Sequence, residues 1–140
     1  MKVSIKRLTD VPLPSRRTQG SAGFDLCAAE DATIAARGFG SVGTGIAIEL
    51  PGGTEAQVRP RSGLAAKHGV GILNSPGTID ADYRGEVRVI LFNASDRDYR
   101  IHRGDRIAQL VFAAIADVEL VEADSLSETR RGPGGFGHTG

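Results

Sequence analysis

The sequence predicts an all-β fold, a sandwich or barrel with at most one short helix. Apolar and polar residues alternate over most of the chain, which is typical of half-buried strands. Turn clusters such as Pro51-Gly52-Gly53 recur at short intervals between these stretches, and that spacing is typical of sandwiches and barrels. A chain of 140 residues with an ordinary apolar fraction is expected to form one globular domain.

Six runs of residues are predicted as strands because they alternate in polarity or are rich in β-branched and aromatic residues. They are residues 3–8, 46–50, 56–59, 70–73, 87–92 and 106–112. One short helix is predicted over residues 62–69, with Ser62 as its N-cap and Gly69 as its C-cap. Aromatic residues are scarce and tryptophan is absent, so the core must be built from valine, isoleucine, leucine and alanine. Such a core is thin, which favours burial between subunits.

Composition and charge limit the classes of partner. Lysine plus arginine balances aspartate plus glutamate, which argues against binding a nucleic acid polymer but leaves small phosphorylated ligands open. Cys27 is the only cysteine, so we expect a small buried residue, no internal disulfide and a reducing compartment. The N-terminus lacks a signal-peptide pattern and no apolar run is long enough to span a bilayer. These features predict a cytoplasmic protein without a membrane partner.

Two segments in the first half of the chain carry groups suited to a phosphorylated ligand. Asp25 follows a glycine in the run Ser21-Ala22-Gly23-Phe24-Asp25, which alone is more typical of a turn. In Arg61-Ser62-Gly63, an arginine, a hydroxyl and unpaired backbone N–H groups meet at the start of the predicted helix. A helix N-terminus favours a phosphate, and arginine adds a forked, permanently charged donor. This second segment is as consistent with a plain helix start as with a binding site.

The segment from Asn74 to Glu86 is the most informative part of the sequence. It groups three acids, one tyrosine and two glycines in a loop between two strand-like runs, where binding and catalytic residues concentrate. Asp80 is a candidate general base and Asp82 a turn former. The flat ring of Tyr83 could support a sugar or a base.

The last third of the chain adds two more segments. Gly104-Asp105 indicates a tight turn, and Gln109 follows it as a polar residue in an apolar strand, where it either satisfies a buried partner or faces a ligand. Residues 125–140 are polar and then glycine-rich, which predicts a mobile tail. No strand precedes the glycines and no helix can follow, so the dinucleotide fingerprint and the P-loop are rejected. Bare amides, an aromatic ring and an arginine could still fold over an anionic aromatic ligand.

The single histidines and the Arg16-Arg17 pair are not predicted to be site residues. His68 and His102 are single histidines without metal-ligand spacing, so no zinc site is expected. The pair Arg16-Arg17 is predicted to be solvated.

In order and spacing, these five segments resemble the five motifs of the homotrimeric dUTPases, over residues 22–140. The resemblance implies a jelly-roll-like β-barrel forming a trimer with active sites shared between subunits. It divides the chain into a barrel domain, residues 1–126, and a mobile C-terminal arm, residues 127–140, that closes over a neighbour's active site. It also implies hydrolysis of dUTP to dUMP and pyrophosphate, which keeps uracil out of DNA and supplies dUMP for dTMP synthesis.

The same resemblance implies a role for each matching residue. Asp80 would activate the water that attacks the α-phosphorus, and Asp25 would hold a magnesium ion through water. The residues that would contact the phosphates, the base and the sugar are Arg61, Ser62, Gly63, Gln109, Asn74, Gly77, Thr78, Ile79, Asp80, Tyr83 and Arg88. Those of the arm are Phe136, stacking on uracil, and Arg131, Gly137, His138 and Thr139, closing over the phosphates. Many members carry serine where His138 stands, but histidine can also donate to a phosphate.

Two alternatives remain open at this point. A dCTP deaminase shares the fold, but it must activate water at the base C4, and no extra acid lies beside the 74–80 segment. A nucleotide-binding regulator or structural trimer without catalysis would not need Asp25 and Asp80. Both alternatives are therefore less favoured than dUTP hydrolysis.

Overall fold

The computed structural model describes residues 1–135 and 137, and it is all-β with one short helix, as predicted. The strands in this part of the chain are β1 (Ser4–Arg7), β2 (Phe24–Cys27), β3 (Ala32–Ile34), β4 (Phe39–Gly43), β5 (Ile46–Glu49), β6 (Thr54–Arg59), β7 (Val70–Ile72), β8 (Gly77–Ile79), β9 (Arg88–Asn93), β10 (Tyr99–Ile101) and β11 (Arg106–Ala114). The helix α1 spans Ser62–His68. All six predicted strands are present, whereas β2, β3, β4, β8 and β10 were not predicted.

The strands of the described residues divide among four antiparallel sheets and do not form one closed barrel. One sheet has the order β2-β11-β6-β8 and a second has the order β4-β9-β7. Two smaller sheets pair β1 with β5 and β3 with β10. The two larger sheets matter most for function, because they carry the candidate site residues of β2, β8, β9 and β11.

The core consists of valine, isoleucine, leucine and alanine, as the composition predicted. Strand periodicity explains how these residues reach it: in β6 every second side chain is buried, and β9 follows the same alternation. The rings of Phe24 and Phe112 pack at the edge of this core, with their centroids 5.5 Å apart in an edge-to-face arrangement. No helix in the described part of the chain has the length and apolarity needed to cross a membrane.

The ends of α1 are only partly as predicted. Gly69 ends the helix with φ +66° and donates its N–H to the Ala65 carbonyl at 3.0 Å, which confirms the C-cap. The N-cap is Arg61 in extended conformation, not Ser62, which is the first helical residue. The side chain of Arg61 donates a hydrogen bond to the Arg106 carbonyl at 3.0 Å. This tertiary contact holds Arg61 at the N-cap position, one residue before the predicted cap, Ser62.

The segment around residues 73–76 makes a turn between β7 and β8, and the two predicted strands on either side of residues 74–86 pair with each other as β7 and β9. β7 pairs with β9, Ile72 facing Leu91, whereas β8 pairs with β6, Gly77 facing Val58. Ile72 and Ile79 are both buried, each in the sheet that its strand joins. The turn therefore carries the chain from one large sheet to the other.

The polypeptide leaves its last strand earlier than the predicted tail begins. β11 ends at Ala114, and Ile115 still donates its N–H to the Gly53 carbonyl at 3.0 Å. From residue 116 onward, the described residues form no helix or strand and are almost all exposed. This stretch includes Leu120 and Leu126, whose exposures are 93% and 90%. The boundary at residue 126 remains a prediction.

Asn93 connects three segments inside the fold. Its side chain is 1% exposed, and its Nδ2 donates to the carbonyl oxygens of Ile34 and Arg97 at 3.1 and 2.7 Å. Its Oδ1 accepts hydrogen bonds from the N–H and the hydroxyl of Ser95 at 3.0 and 2.8 Å. The amide of this buried side chain thus supplies hydrogen-bond partners to a carbonyl of β3 and to polar groups of the loop after β9.

We expect Asn93→Ala to lower the free energy of unfolding by about 1–3 kcal/mol, because buried carbonyl and N–H groups would lose their partners. Urea unfolding at a fixed protein concentration measures this change. Thr33→Ala, an exposed position on β3, is the matched control and should change stability little. Equal stability of the Asn93→Ala and Thr33→Ala proteins would contradict the assigned role.

Candidate active site

Asp25 lies among three arginine side chains. Its Oδ2 atom is 3.1 Å from Arg17 Nε and 3.0 Å from Arg106 Nη1, and its Oδ1 atom is 3.4 Å from Arg61 Nε. The Asp25 side chain is only 15% exposed, whereas Arg17 is 64% exposed. One carboxylate thus carries three positive partners at the surface of the large sheet.

Strand pairing brings these groups together. On β2, Asp25 faces Gln109 of β11, and Gln109 in turn faces Arg59 of β6, two residues before Arg61. The N–H of Asp25 also donates to the Ser15 carbonyl at 2.9 Å, which brings the Arg17 loop alongside β2. Residues far apart in sequence therefore lie in one row across β2, β11 and β6.

The protonation of Asp25 follows from these neighbours. Burial by itself raises the pKa of Asp25. Hydrogen bonds from Arg106 and Arg17 and the charges of Arg61 and Arg106 together outweigh this effect, so the pKa lies below its ordinary value. The carboxyl group is therefore held ionised at neutral pH. Burial and the nearby Asp25 charge raise the pKa of the half-buried Cys27 thiol, which keeps it in the neutral form.

Gln109 joins the Asp25 cluster to the start of α1. Its Nε2 donates to the Pro60 carbonyl at 2.9 Å, so the first of its two predicted possibilities, a satisfied partner, is observed. Its amide packs over Gly23, where a Cβ atom would collide with the Gln109 side chain. Ser62 and Gly63 are exposed beside Arg61. These contacts align the three segments around one cationic surface.

A second group of predicted residues lines a half-open cavity of about 350 Å³. Thr78 and Ile79 come from β8, Asp80 and Tyr83 from the loop after it, and Arg88 from β9. The volume lies in the range of small-molecule sites. Because apolar and polar groups share this cavity, it can accept a planar polar ring.

The loop after β8 is held in shape by its own hydrogen bonds. The N–H of Tyr83 donates to the Asp80 carbonyl at 3.2 Å, which confirms the predicted turn, and the Tyr83 hydroxyl donates to the Glu86 carbonyl at 3.0 Å. The Tyr83 ring lies directly against Gly85, where a Cβ atom would collide with it. The side chain of Asp80 accepts no hydrogen bond from residues 1–135 or 137.

Arg88 is fully engaged by protein groups. Its guanidinium contacts Glu86 Oε2 at 2.9 Å, Glu30 Oε1 at 3.3 Å and Ser41 Oγ at 3.0 Å. Glu86 Oε1 also accepts the Gly45 N–H at 2.9 Å. The pKa of Glu30 is lowered mainly by the hydrogen bond from the Gly43 N–H, and also by Arg88. Arg88 thus joins the Asp80 loop to β4, and Glu86 joins the same loop to the segment between β4 and β5.

The two groups of site residues are separate within one chain. No side-chain hydrogen bond or ion pair of the described residues joins the Asp25 cluster to the Asp80 cavity. The β6–β8 pairing, Gln57 facing Thr78, lies between them. The structure therefore brings together the first, second and fourth predicted segments, and keeps the third apart from them.

The remaining predicted residues lie at the edges or outside the described part. Asn74 is exposed, and its amide lies 3.3 Å from the position that a Cβ atom on Gly77 would take. Arg131 donates from Nε to the Gly134 carbonyl at 2.8 Å, and Gly137 is exposed. Phe136, His138 and Thr139 lie outside the described residues.

Four charged residues of the site were not predicted: Arg17, Glu30, Glu86 and Arg106. Arg16 and Arg17 are both exposed, as predicted, but the contact of Arg17 with Asp25 was not predicted; the pairing of Ser15 with Asp25 brings the Arg17 guanidinium onto the carboxylate. Arg106 lies next to the Gly104-Asp105 turn, and that position was the only sequence signal for it. Another cavity, of about 470 Å³, is mainly apolar, and none of the predicted site residues line it.

The donor set around Asp25 fits a hydrated magnesium ion better than a tightly caged metal. Within the described residues, no group of three histidine, cysteine, aspartate or glutamate side chains could hold a metal ion. Asp25 supplies one ionised carboxylate next to cationic groups that attract phosphate. Magnesium often binds through one carboxylate, water and substrate phosphates, and these residues fit that arrangement.

Comparison with protein families and curated proteins gives a consistent result. The family model described as dUTPase matches residues 9–140. A deoxyuridine 5'-triphosphate nucleotidohydrolase of Hydrogenobaculum sp. is 55% identical over 143 residues, covering 100% of this chain and 99% of that protein. The protein of the same name from Helicobacter hepaticus is 52% identical over 141 residues, covering 100% and 89%.

Solved structures share the fold. The dUTPase of Staphylococcus bacteriophage 80alpha with dUpNHpp superposes with a TM-score of 0.93 at 27% identity, covering 99% of this chain and 98% of that one. The dUTPase of phage phi11 of S. aureus, described with a structural Mg(II) ion, has a TM-score of 0.83 at 23% identity, covering 89% and 98%. The latter similarity concerns the fold alone.

We expect Asp25→Asn to destabilise the protein at neutral pH by about 1–3 kcal/mol, because three guanidinium groups would lose their carboxylate. The folded pKa of Asp25 lies below the ordinary 3.8, so this contribution is present above pH 3.8 and disappears as the pH falls through the lower folded value. The difference between the wild type and Asp25→Asn should therefore shrink in acid.

Urea unfolding over the acid to neutral range tests this expectation at a fixed protein concentration. Asp96→Asn replaces an exposed carboxylate and is the control for a general loss of negative charge. A difference between wild type and Asp25→Asn that stays constant into strong acid, or one that Asp96→Asn reproduces, would contradict the ion-pair assignment.

Proposed function

The chain belongs to the dUTPase family and is a dUTP-hydrolysing enzyme, and we propose that it releases dUMP and pyrophosphate by water attack on the α-phosphorus. One observation supports this assignment most directly: the Asp80 side chain and the Tyr83 ring line the same half-open cavity. A carboxylate beside a nucleoside-sized cavity is the arrangement that a positioned general base requires.

The Asp80 cavity is the proposed uridine site. Backbone groups of residues 74–80 would present donors and acceptors to the uracil edge, and the cytosine amino group would leave a mismatched pair costing ~1–3 kcal/mol. Bulk at the pyrimidine 5-position would be excluded sterically. Tyr83 would lie beneath the deoxyribose and leave no space for a 2′-hydroxyl. Asn74, Gly77, Thr78 and Ile79 are the proposed contacts to the base.

The Asp25 cluster is the proposed triphosphate site. Arg61, Ser62, Gly63 and Gln109 would contact the phosphates, since a guanidinium fork and exposed N–H groups are suited to phosphate oxygens. Asp25 would hold a magnesium ion through water. When bound, magnesium would neutralise charge on the phosphates.

Asp80 would act on the attacking water. Its carboxylate would accept a water proton while the oxygen forms a bond to the α-phosphorus. The bond from that phosphorus to the bridging oxygen would break, and the electron pair would leave with pyrophosphate. Asp80 would also contact the sugar 3′-hydroxyl, which fixes the distance between the water and the phosphorus.

A homotrimer would unite the two groups that lie apart on one chain. Each active site would take its triphosphate-binding cluster and its uridine cavity from different subunits. Residues 127–140 would form an arm that closes over a neighbour's site: Phe136 on the uracil, and Arg131, Gly137, His138 and Thr139 over the phosphates. The exposed leucines of residues 116–126 are consistent with a path along another subunit.

The proposed cellular role is to remove dUTP from the pool used for DNA synthesis and to supply dUMP for dTMP synthesis. This role places the enzyme in the cytoplasm, with its substrate and its own copies as partners. Neither a nucleic acid nor a membrane is a proposed partner.

Pyrophosphate release from dUTP, dCTP, dTTP and UTP, each with magnesium, tests the reaction and its selectivity. We expect release from dUTP alone, because the cavity selects both the base and the sugar. Ammonia release from dCTP would instead indicate a deaminase, and equal release from UTP would contradict the role of Tyr83.

The Asp80→Asn variant is the control that links this activity to the cavity. Its turnover should fall by about 10²-fold or more while dUpNHpp binding persists. Full activity of the variant would exclude Asp80 as the base.

Mixing two inactive variants tests the shared sites and the arm together. One is Asp80→Asn, and the other is truncated after Leu126. If Asp80 and the arm of one site come from different subunits, co-expression should restore about a quarter of the sites. Activity that stays absent in the mixture, with both chains folded and co-assembled, would place Asp80 and the arm on the same subunit.

A further inference from the structure

Arg17 contacts Asp25 with only one of its three nitrogen positions. Nε is 3.1 Å from Asp25 Oδ2, while neither terminal amino group has a hydrogen-bond partner among the described residues. By contrast, Arg61 uses Nε toward Asp25 and Nη1 toward the Arg106 carbonyl. Arg17 and Arg106 each use a single donor within this cluster, and Arg17 is the more exposed of the two.

We propose that Arg17 is a further triphosphate-binding residue, held at Asp25 through Nε while its terminal amino groups bind a phosphate oxygen pair. This inference rests on the proposed function, because it assigns a residue to the same site. A guanidinium presents donors on separate edges of one plane, so the two contacts are geometrically compatible. Lysine, with a single ammonium group, cannot reproduce them.

The local fold positions Arg17 for this role. On its N-terminal side, the Ser15 carbonyl accepts the Asp25 N–H at 2.9 Å. On its C-terminal side, the Thr18 N–H donates to Ser21 Oγ at 3.2 Å, and the Ser21 N–H donates to the Thr18 carbonyl at 3.1 Å. A residue fixed on both sides loses little additional backbone entropy when a ligand binds.

Charge and exposure favour a ligand role over a purely structural one. Three guanidinium groups surround one carboxylate, so Asp25 cannot neutralise them all and the cluster keeps a surplus of positive charge. Arg17 is 64% exposed, against 23% for Arg61 and 38% for Arg106. An ion pair this exposed stabilises a fold little, whereas its charge remains available to a polyanion.

Calorimetric titration with two ligands tests the proposal: dUpNHpp, which carries three phosphorus groups, and deoxyuridine, which carries none. We expect Arg17→Ala to weaken dUpNHpp binding about tenfold and to leave deoxyuridine binding unchanged. Arg17→Lys should recover only part of the loss. Arg16→Ala removes the same charge from the adjacent residue, which lies over the Phe24 ring, and should bind dUpNHpp like the wild type.

Each of the other possible outcomes would contradict a specific part of the proposal. Equal weakening toward both ligands, or an equal loss in Arg16→Ala, would show that Arg17 does not contact the triphosphate. Unchanged dUpNHpp binding in Arg17→Ala would do the same, and full recovery in Arg17→Lys would exclude the two-sided contact. Wild-type protein is titrated first, because failure to bind dUpNHpp there would contradict the proposed function itself.

Discussion

The arrangement of the cationic half of the site depends on the Asp25 carboxylate. It contacts Arg61 before α1, Arg106 at the start of β11 and Arg17 in the N-terminal loop, at 3.0–3.4 Å. These arginines would repel one another if the carboxylate between them were absent. Its ionisation follows from the same contacts, which lower its pKa despite burial. One charge thus sets the position of three segments that are distant in sequence.

The separation of this cluster from the Asp80 cavity is the main constraint on the proposed assembly. β6 lies between the two groups, and among the described residues no side-chain contact crosses it. A nucleotide must reach both a cationic surface and a cavity of nucleoside size. On one chain these two groups lie on opposite sides of β6, and the proposed assembly from several copies would bring them together around one nucleotide.

Local sequence patterns predicted the longer strands and the end of the helix. The features that were not predicted depend on pairing between residues distant in sequence. The alternating runs that became β6 and β11 are long enough to show a period of two, whereas β3, β8 and β10 have three residues each and show none. Gly69 was predictable as a helix end because glycine favours positive φ. β7 and β8 follow one another in sequence but pair with different strands, which no local pattern reveals. The contact of Arg17 was missed because it depends on the Ser15–Asp25 pairing, which local sequence does not reveal.

The Asp80 cavity and the Asp25 cluster differ in the balance of their charges, and the contacts of Arg88 account for part of this difference. Arg88 lines the cavity, yet Glu86 and Glu30 bind its guanidinium, and Asp80 adds a further carboxylate. The cavity therefore has more negative than positive groups, which disfavours a triphosphate there and suits a neutral base. The Asp25 cluster has the opposite balance. In the proposed assembly, a nucleotide between the two groups would have one electrostatically favourable orientation, with its base beside Asp80 and its phosphates beside Arg61. That orientation would place the α-phosphorus within reach of a water activated by Asp80.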